Sequence, residues 1–114
     1  MKPRSDPGPV VATRFFDRAD GKVELSIHQP APDPSPGDAD PNDPPWRCWY
    51  TIRFPGGEVK QRGAMGVDAM QALLLAFASA SIDMRHASDG SGTLRPDLTW
   101  LGSSDLGLTI DHYE

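Results

Sequence analysis

GVDAMQALLLAFASASIDMRHA, Gly66 to Ala87, is the stretch whose reading decides the fold. Asp68 followed three residues later by Gln71 has the spacing of a capping box, in which each side chain satisfies a backbone donor left open by the first helical turn. Asp68 also sets a negative charge at the positive end of the helix dipole. At the far end Arg85 and His86 place cations in the last turn, and Gly90 can take the left-handed conformation that stops a helix. Between them Met70, Leu73, Leu74, Phe77, Ser81 and Met84 recur at the helical period, flanked by Val67, Ala78 and Ala80. The spacing predicts one long helix over residues 66–87 that buries this stripe. The run between Asp68 and Asp83 is shorter than the ~20 apolar residues of a membrane span and contains Gln71, Ser79 and Ser81, so no membrane association is expected.

A face of this kind needs a surface to pack against, and the residues ahead of it supply one. TRFFDR, Thr13 to Arg18, is a short strand, and Asp20-Gly21 is a hairpin turn signal. In the next run Val23, Leu25 and Ile27 alternate with Lys22, Glu24, Ser26 and His28, the pattern of a half-buried strand. Residues 29–45, QPAPDPSPGDADPNDPP, hold seven prolines and no large apolar side chain, and form an extended solvated loop. WRCWYTIRF then alternates strongly, with Trp46, Cys48, Tyr50, Ile52 and Phe54 on the core side and Arg47, Trp49, Thr51 and Arg53 opposite. Pro55-Gly56-Gly57 turns the chain into a fourth strand, Glu58 to Arg62, with Val59 inward and Lys60 and Arg62 outward. After the helix come short extended pieces at Leu98 to Leu101 and Leu108 to Ile110.

Four strands before one helix predict an α+β domain: a four-stranded antiparallel meander with the helix across one face and short C-terminal extended segments. The 114 residues suit one domain, with residues 1–11 a frayed tail. The single cysteine, Cys48, excludes an intramolecular disulfide framework and, with no secretory h-region in MKPRSDPGPVV, points to the cytoplasm.

Three pieces in order resemble a family of small uncharacterised bacterial proteins, a domain of unknown function. They are WRCWYTI at Trp46 to Ile52, GVDAMQALLLAF at Gly66 to Phe77, and Trp100 followed by Asp105-Leu106-Gly107. The resemblance implies a bacterial cytoplasmic protein of one domain. It carries over no activity and no catalytic residues.

The net charge of −5 lies wholly in the second half: residues 63–114 carry two basic residues against seven acidic ones, while residues 1–62 carry nine of each. That balance argues against nucleic acid, whose affinity comes mostly from cationic phosphate contacts. Candidate nucleophiles Cys48, Ser103 and Ser104, and the histidines His28, His86 and His112, show no motif spacing. Asp38, Asp40 and Asn42 match the first ligands of a calcium loop, but Asp43 stands where its glycine belongs and Trp49 where its glutamate belongs. No enzyme, metal or cofactor is expected.

What remains is surface. Arg47, Trp49 and Arg53 share the outward sheet face, and Trp and Arg carry interface energy out of proportion to their number. Leu75 and Ile82 lie around the helix from the core stripe; they either pack under the segment carrying Trp100 and Leu101, which is the favoured reading, or form a dimer seam. The expected function is a non-catalytic binding or regulatory protein, immunity- or antitoxin-like in kind, with a protein partner or a second copy. The alternative is a small-molecule site or minor enzyme between sheet and helix, with Cys48, His86 or the Asp105 turn at its rim.

Overall fold

The computed structural model describes residues 7–35, 37, 40, 42–85 and 97–108. The first hairpin follows from the alternation on either side of Ala19-Asp20. Strand β1 (Val10–Arg18) pairs antiparallel with β2 (Gly21–His28), with Phe16 opposite Val23 and Arg14 opposite Leu25. Arg18 fastens the turn by donating from Nε and Nη2 to the two carboxylate oxygens of Asp20, at 2.8 and 2.7 Å. The strand starts earlier than Thr13 because a bulge between Val10 and Ala12 absorbs one residue and keeps the pairing going.

The short strand β3 (Ala31–Pro32) and the central strand β4 (Trp46–Arg53) follow, then β5 (Val59–Gly66) and helix α1 (Ala69–Arg85). β4 pairs with β5 along its whole length on one edge; on the other it pairs with β2 through Tyr50 to Arg53 and with β3 through Trp46 and Arg47. β3 therefore continues the line of β2, and the sheet runs β1, β2 with β3, β4, β5. This is the expected antiparallel meander, with α1 packed on one face against β4 and β5. The sheet has five strands where four were expected, and the addition is the two-residue β3 inside the proline loop.

Two expectations fail, for connected reasons. The first concerns β5, which runs to Gly66 and so takes in residues assigned to a lead-in and to the helix. Its side chains are also reversed: Val59 pairs with Arg53 on the outward face and is 51% exposed, while Lys60 and Arg62 pair with Ile52 and Tyr50 on the helix side. The five-residue connection from Phe54 to Glu58, closed by the Phe54 N–H to the Glu58 carbonyl at 2.8 Å, sets this register. A shift of one residue in a strand exchanges its two faces, and one valine was too little pattern to choose between them.

The second concerns the core face of α1. The cap is as expected: Asp68 Oδ1 accepts from the Gln71 N–H at 2.8 Å, and Gln71 Oε1 reaches back to the Val67 N–H at 2.7 Å. The buried row, however, is Ala72, Ala76, Ala80 and Met84, each 0% exposed, while Met70 and Leu74 are 71% and 60% exposed. Leu73 and Phe77 are half-buried at the edge of the core. The sheet already brings Phe16, Leu25, Tyr50 and Ile52 to this layer. The alanines let the helix backbone approach closely enough to cover those side chains, and a row of leucines would hold it off.

Residues 97–108 close the layer beside the helix. Thr99 and Asp17 exchange backbone hydrogen bonds of 2.8 Å, and Leu98 and Leu106 are buried. Leu101 and Gly102, both at positive φ (53° and 82°), form the tight turn that returns Ser103 to Trp100. Leu101 is left 82% exposed at its tip. His86, Ile110 and His112 lie outside the described residues.

Candidate functional site

The outward face of the sheet is organised by polar groups. Thr13, Ser26, Thr51 and Gln61 are successive cross-strand partners and form a row across four strands. Thr13 and Ser26 share a hydroxyl contact of 3.2 Å, and Gln61 Nε2 donates to Thr51 Oγ1 at 3.0 Å. His28 lies beside the row. Its Nδ1 donates to the Gly8 carbonyl at 2.9 Å, which leaves Nε2 to accept from the Thr51 hydroxyl at 2.8 Å. A hydroxyl against an imidazole has the form of a nucleophile and its base. Thr51 is only 5% exposed and its oxygen is shared with Gln61, so the arrangement serves as an internal network that fixes the sheet. Sequence alternation placed His28 on this face but gave no sign that the chain at Gly8 would cover it.

Arg47 and Trp49 come together on this face, and Arg53 stands apart from them. The Arg47 guanidinium lies 5.2 Å from the centre of the Trp49 ring, and its Nε donates to Asp33 Oδ2 of the proline loop at 2.6 Å. Burial works against the Asp33 carboxylate, but hydrogen bonds from Ser35 and Arg47 outweigh it and hold the carboxyl at about 2. Trp49 is half-buried beneath this clamp. Arg53 is exposed further along, opposite Glu24, and Lys22 is paired with Asp17 at 2.5 Å. The cations of this face thus sit among acids.

Leu75 and Ile82 lie on the other side of the molecule. They are 43% and 57% exposed, and the described C-terminal segment does not cover them. Its Trp100 instead packs under Arg14, 3.9 Å from the ring centre, and Arg14 Nη1 donates to the Leu106 carbonyl at 3.1 Å. Met70 and Leu74, which the helical period had turned toward the core, join them to give α1 an apolar outward face.

Between the layers, Tyr50 Oη donates to Asp83 Oδ2 at 2.5 Å, and Arg62 Nη1 donates to Asp83 Oδ1 at 3.1 Å, which ties helix to sheet. Burial first, and the Asp83 carboxylate second, push the Tyr50 hydroxyl above the ordinary phenol range. Cys48 is fully buried, its thiol pushed up to about 11 by burial, far from the thiolate a nucleophile requires. Ser103 Oγ accepts the Asp105 N–H within its own turn. An apolar cleft of about 190 Å³ opens between Ala12, Leu25, Ile27, Phe77 and Leu108, with Arg14 and Gly107 at its margin. Cys48 does not line it; the turn after Asp105 does. Among the described residues there is no cluster of histidine, cysteine and carboxylate side chains able to hold a metal ion, and no helix is long and apolar enough to cross a membrane.

Residues 12–110 match the family described as a domain of unknown function (DUF6968), and the chain belongs to that family. No curated protein and no solved structure matches it.

Proposed function

We propose that this member of the family is a small non-catalytic binding or regulatory protein of the bacterial cytoplasm, immunity- or antitoxin-like in kind, that engages a protein through the outward face of α1. The observation that carries the reading is the inversion of the helix. Its alanines face the core, and Met70, Leu74, Leu75 and Ile82 face water with exposures of 71, 60, 43 and 57%. A helix with large apolar side chains on its solvent side is stable in isolation only at a cost in exposed surface that a partner removes. The buried thiol and the paired cations of the opposite face support a role without covalent chemistry or nucleic acid.

The test is capture by the tagged full chain from its native cytoplasm, with Leu74→Glu alongside. A stoichiometric protein, the chain itself included, should be retained by the parent and lost with the variant. Equal retention by both, or none by either, refutes the reading.

A second reading has one observation in its favour, the cleft of about 190 Å³ beside Phe77. It falls below the ~300–1,000 Å³ of common ligand sites, so a ligand there would be small and largely apolar. Ala12→Trp, which fills the cleft, separates the two: it would abolish such binding and leave capture through α1 intact.

A further inference from the structure

Two rows with a spacing of four residues run along α1 on nearly opposite sides. Ala72, Ala76, Ala80 and Met84 are buried. Met70, Leu74, Ala78 and Ile82 are displaced from them by two residues, about 200° around the axis, and form the outward ridge. No charged residue occurs between Asp68 and Asp83. Whatever covers this ridge must itself offer an uncharged surface, because a charge buried against it would lose its hydration without gaining a partner.

We propose that the occupant is a second copy of this chain, its α1 packed antiparallel to the first about a twofold axis; this rests on the reading of the face as an interface and names what fills it. The ridge is self-complementary in that orientation. Met70 and Ile82 lie equally far from its centre, as do Leu74 and Ala78, so Met70 of each copy meets Ile82 of the other and Leu74 meets Ala78. At the centre of the contact the large Leu74 thus meets the small Ala78, which lets the two helices approach. The ends agree in charge. The antiparallel arrangement brings exposed Asp68 of one copy toward Arg85 of the other, within one residue of the same symmetry, and opposes the two helix dipoles. A parallel arrangement would set Asp68 against Asp68. Among the described residues, Arg85 donates only to the Ser81 hydroxyl and the Ser104 carbonyl, both neutral groups.

Sedimentation equilibrium of the full chain should give twice the chain mass of 12.4 kDa. Leu74→Glu should return it to the chain mass with an unchanged circular dichroism spectrum, weakening association by about 100-fold or more, whereas Leu101→Glu, at an exposed site off the helix, should leave the dimer intact. Orientation is read with single-thiol variants and a short bis-maleimide, Cys48 being buried and unreactive. A mixture of Met70→Cys and Ile82→Cys should cross-link. Neither variant should do so alone, since like positions stand about 18 Å apart in an antiparallel pair. Chain mass at every concentration overturns the proposal, as does cross-linking of either variant to itself. A monomer that still captures a different protein through Leu74 overturns the second-copy assignment and leaves the interface reading standing. A monomer whose capture is indifferent to Leu74→Glu overturns both.

Discussion

A methyl group placed on Gly66 would stand 2.4 Å from the backbone nitrogen of Ala72, so the last residue of β5 and the first turn of α1 meet backbone to backbone. The hydrogen at position 66 is therefore a condition of how closely the helix lies on the sheet. Gly66→Ala should lower stability by about 2–3 kcal/mol, because nothing flexible stands in the way to yield. Gly37→Ala, where nothing lies within 4 Å of the added carbon, should change it by no more than about 0.5 kcal/mol. Urea denaturation of the three proteins reads the difference.

The same closeness makes the alanine row intolerant of enlargement. Ala76 is 0% exposed against a filled sheet layer, and Ala76→Leu should cost about 3 kcal/mol by overpacking. A helix that buried leucines as its sequence first suggests would accept that change with little loss, so the midpoint of thermal unfolding decides between the two pictures.

Tyr50, Asp83 and Arg62 predict an asymmetry. Tyr50→Phe removes one hydrogen bond and leaves Asp83 paired with Arg62, at a cost of about 1 kcal/mol. Asp83→Ala strands a buried hydroxyl and frees Arg62, and should cost about 2–3 kcal/mol. Equal losses in paired denaturation curves would show that the hydroxyl and the carboxylate act only as a pair.

The clamp of Asp33 on Arg47 predicts a pH dependence. The folded carboxyl is depressed from 3.8 to about 2, so its contribution is present in full above the unfolded value and is lost as pH falls from about 4 to 2. Its position near the surface limits the gain to about 1 kcal/mol or less through solvent screening. The stability difference between the parent and Asp33→Asn, measured at a series of pH values, should shrink to nothing over that interval.

Cys48 should resist aromatic disulfide reagents in the folded protein and react fully in denaturant, its thiol being buried and pushed up to about 11. Fast labelling of the native chain would place the thiol at the surface and refute this environment.

The alternation of VELSI and WRCWYTIRF determined which sheet face is buried, and the capping residues located the helix start, because both signals repeat or stand at fixed offsets. The face of α1 was not legible in the same way. From Ala69 to Ile82 nearly every residue is apolar, so period alone could not separate a face that is buried because it is small from one that is large and exposed. That choice depends on what the sheet brings to the interface, which is a tertiary quantity. Arg47 and Trp49 were placed on the correct face, yet their engagement by Asp33 depends on where a proline loop returns, and no local pattern encodes it. The orientation of Lys60 and Arg62 turned on a hairpin register set by five residues with little apolar content.

The grip of Arg14 on the Leu106 carbonyl, 92 residues away in sequence, also has a temporal consequence. Strand β1 leaves the ribosome well before the segment that covers it. Until then Phe16 and Leu25 can be enclosed only in part, even with both hairpins formed. Sealing of β1 thus waits for residues 97–108, and a product stopped short of Leu98 would carry a formed sheet without this cover over its first strand.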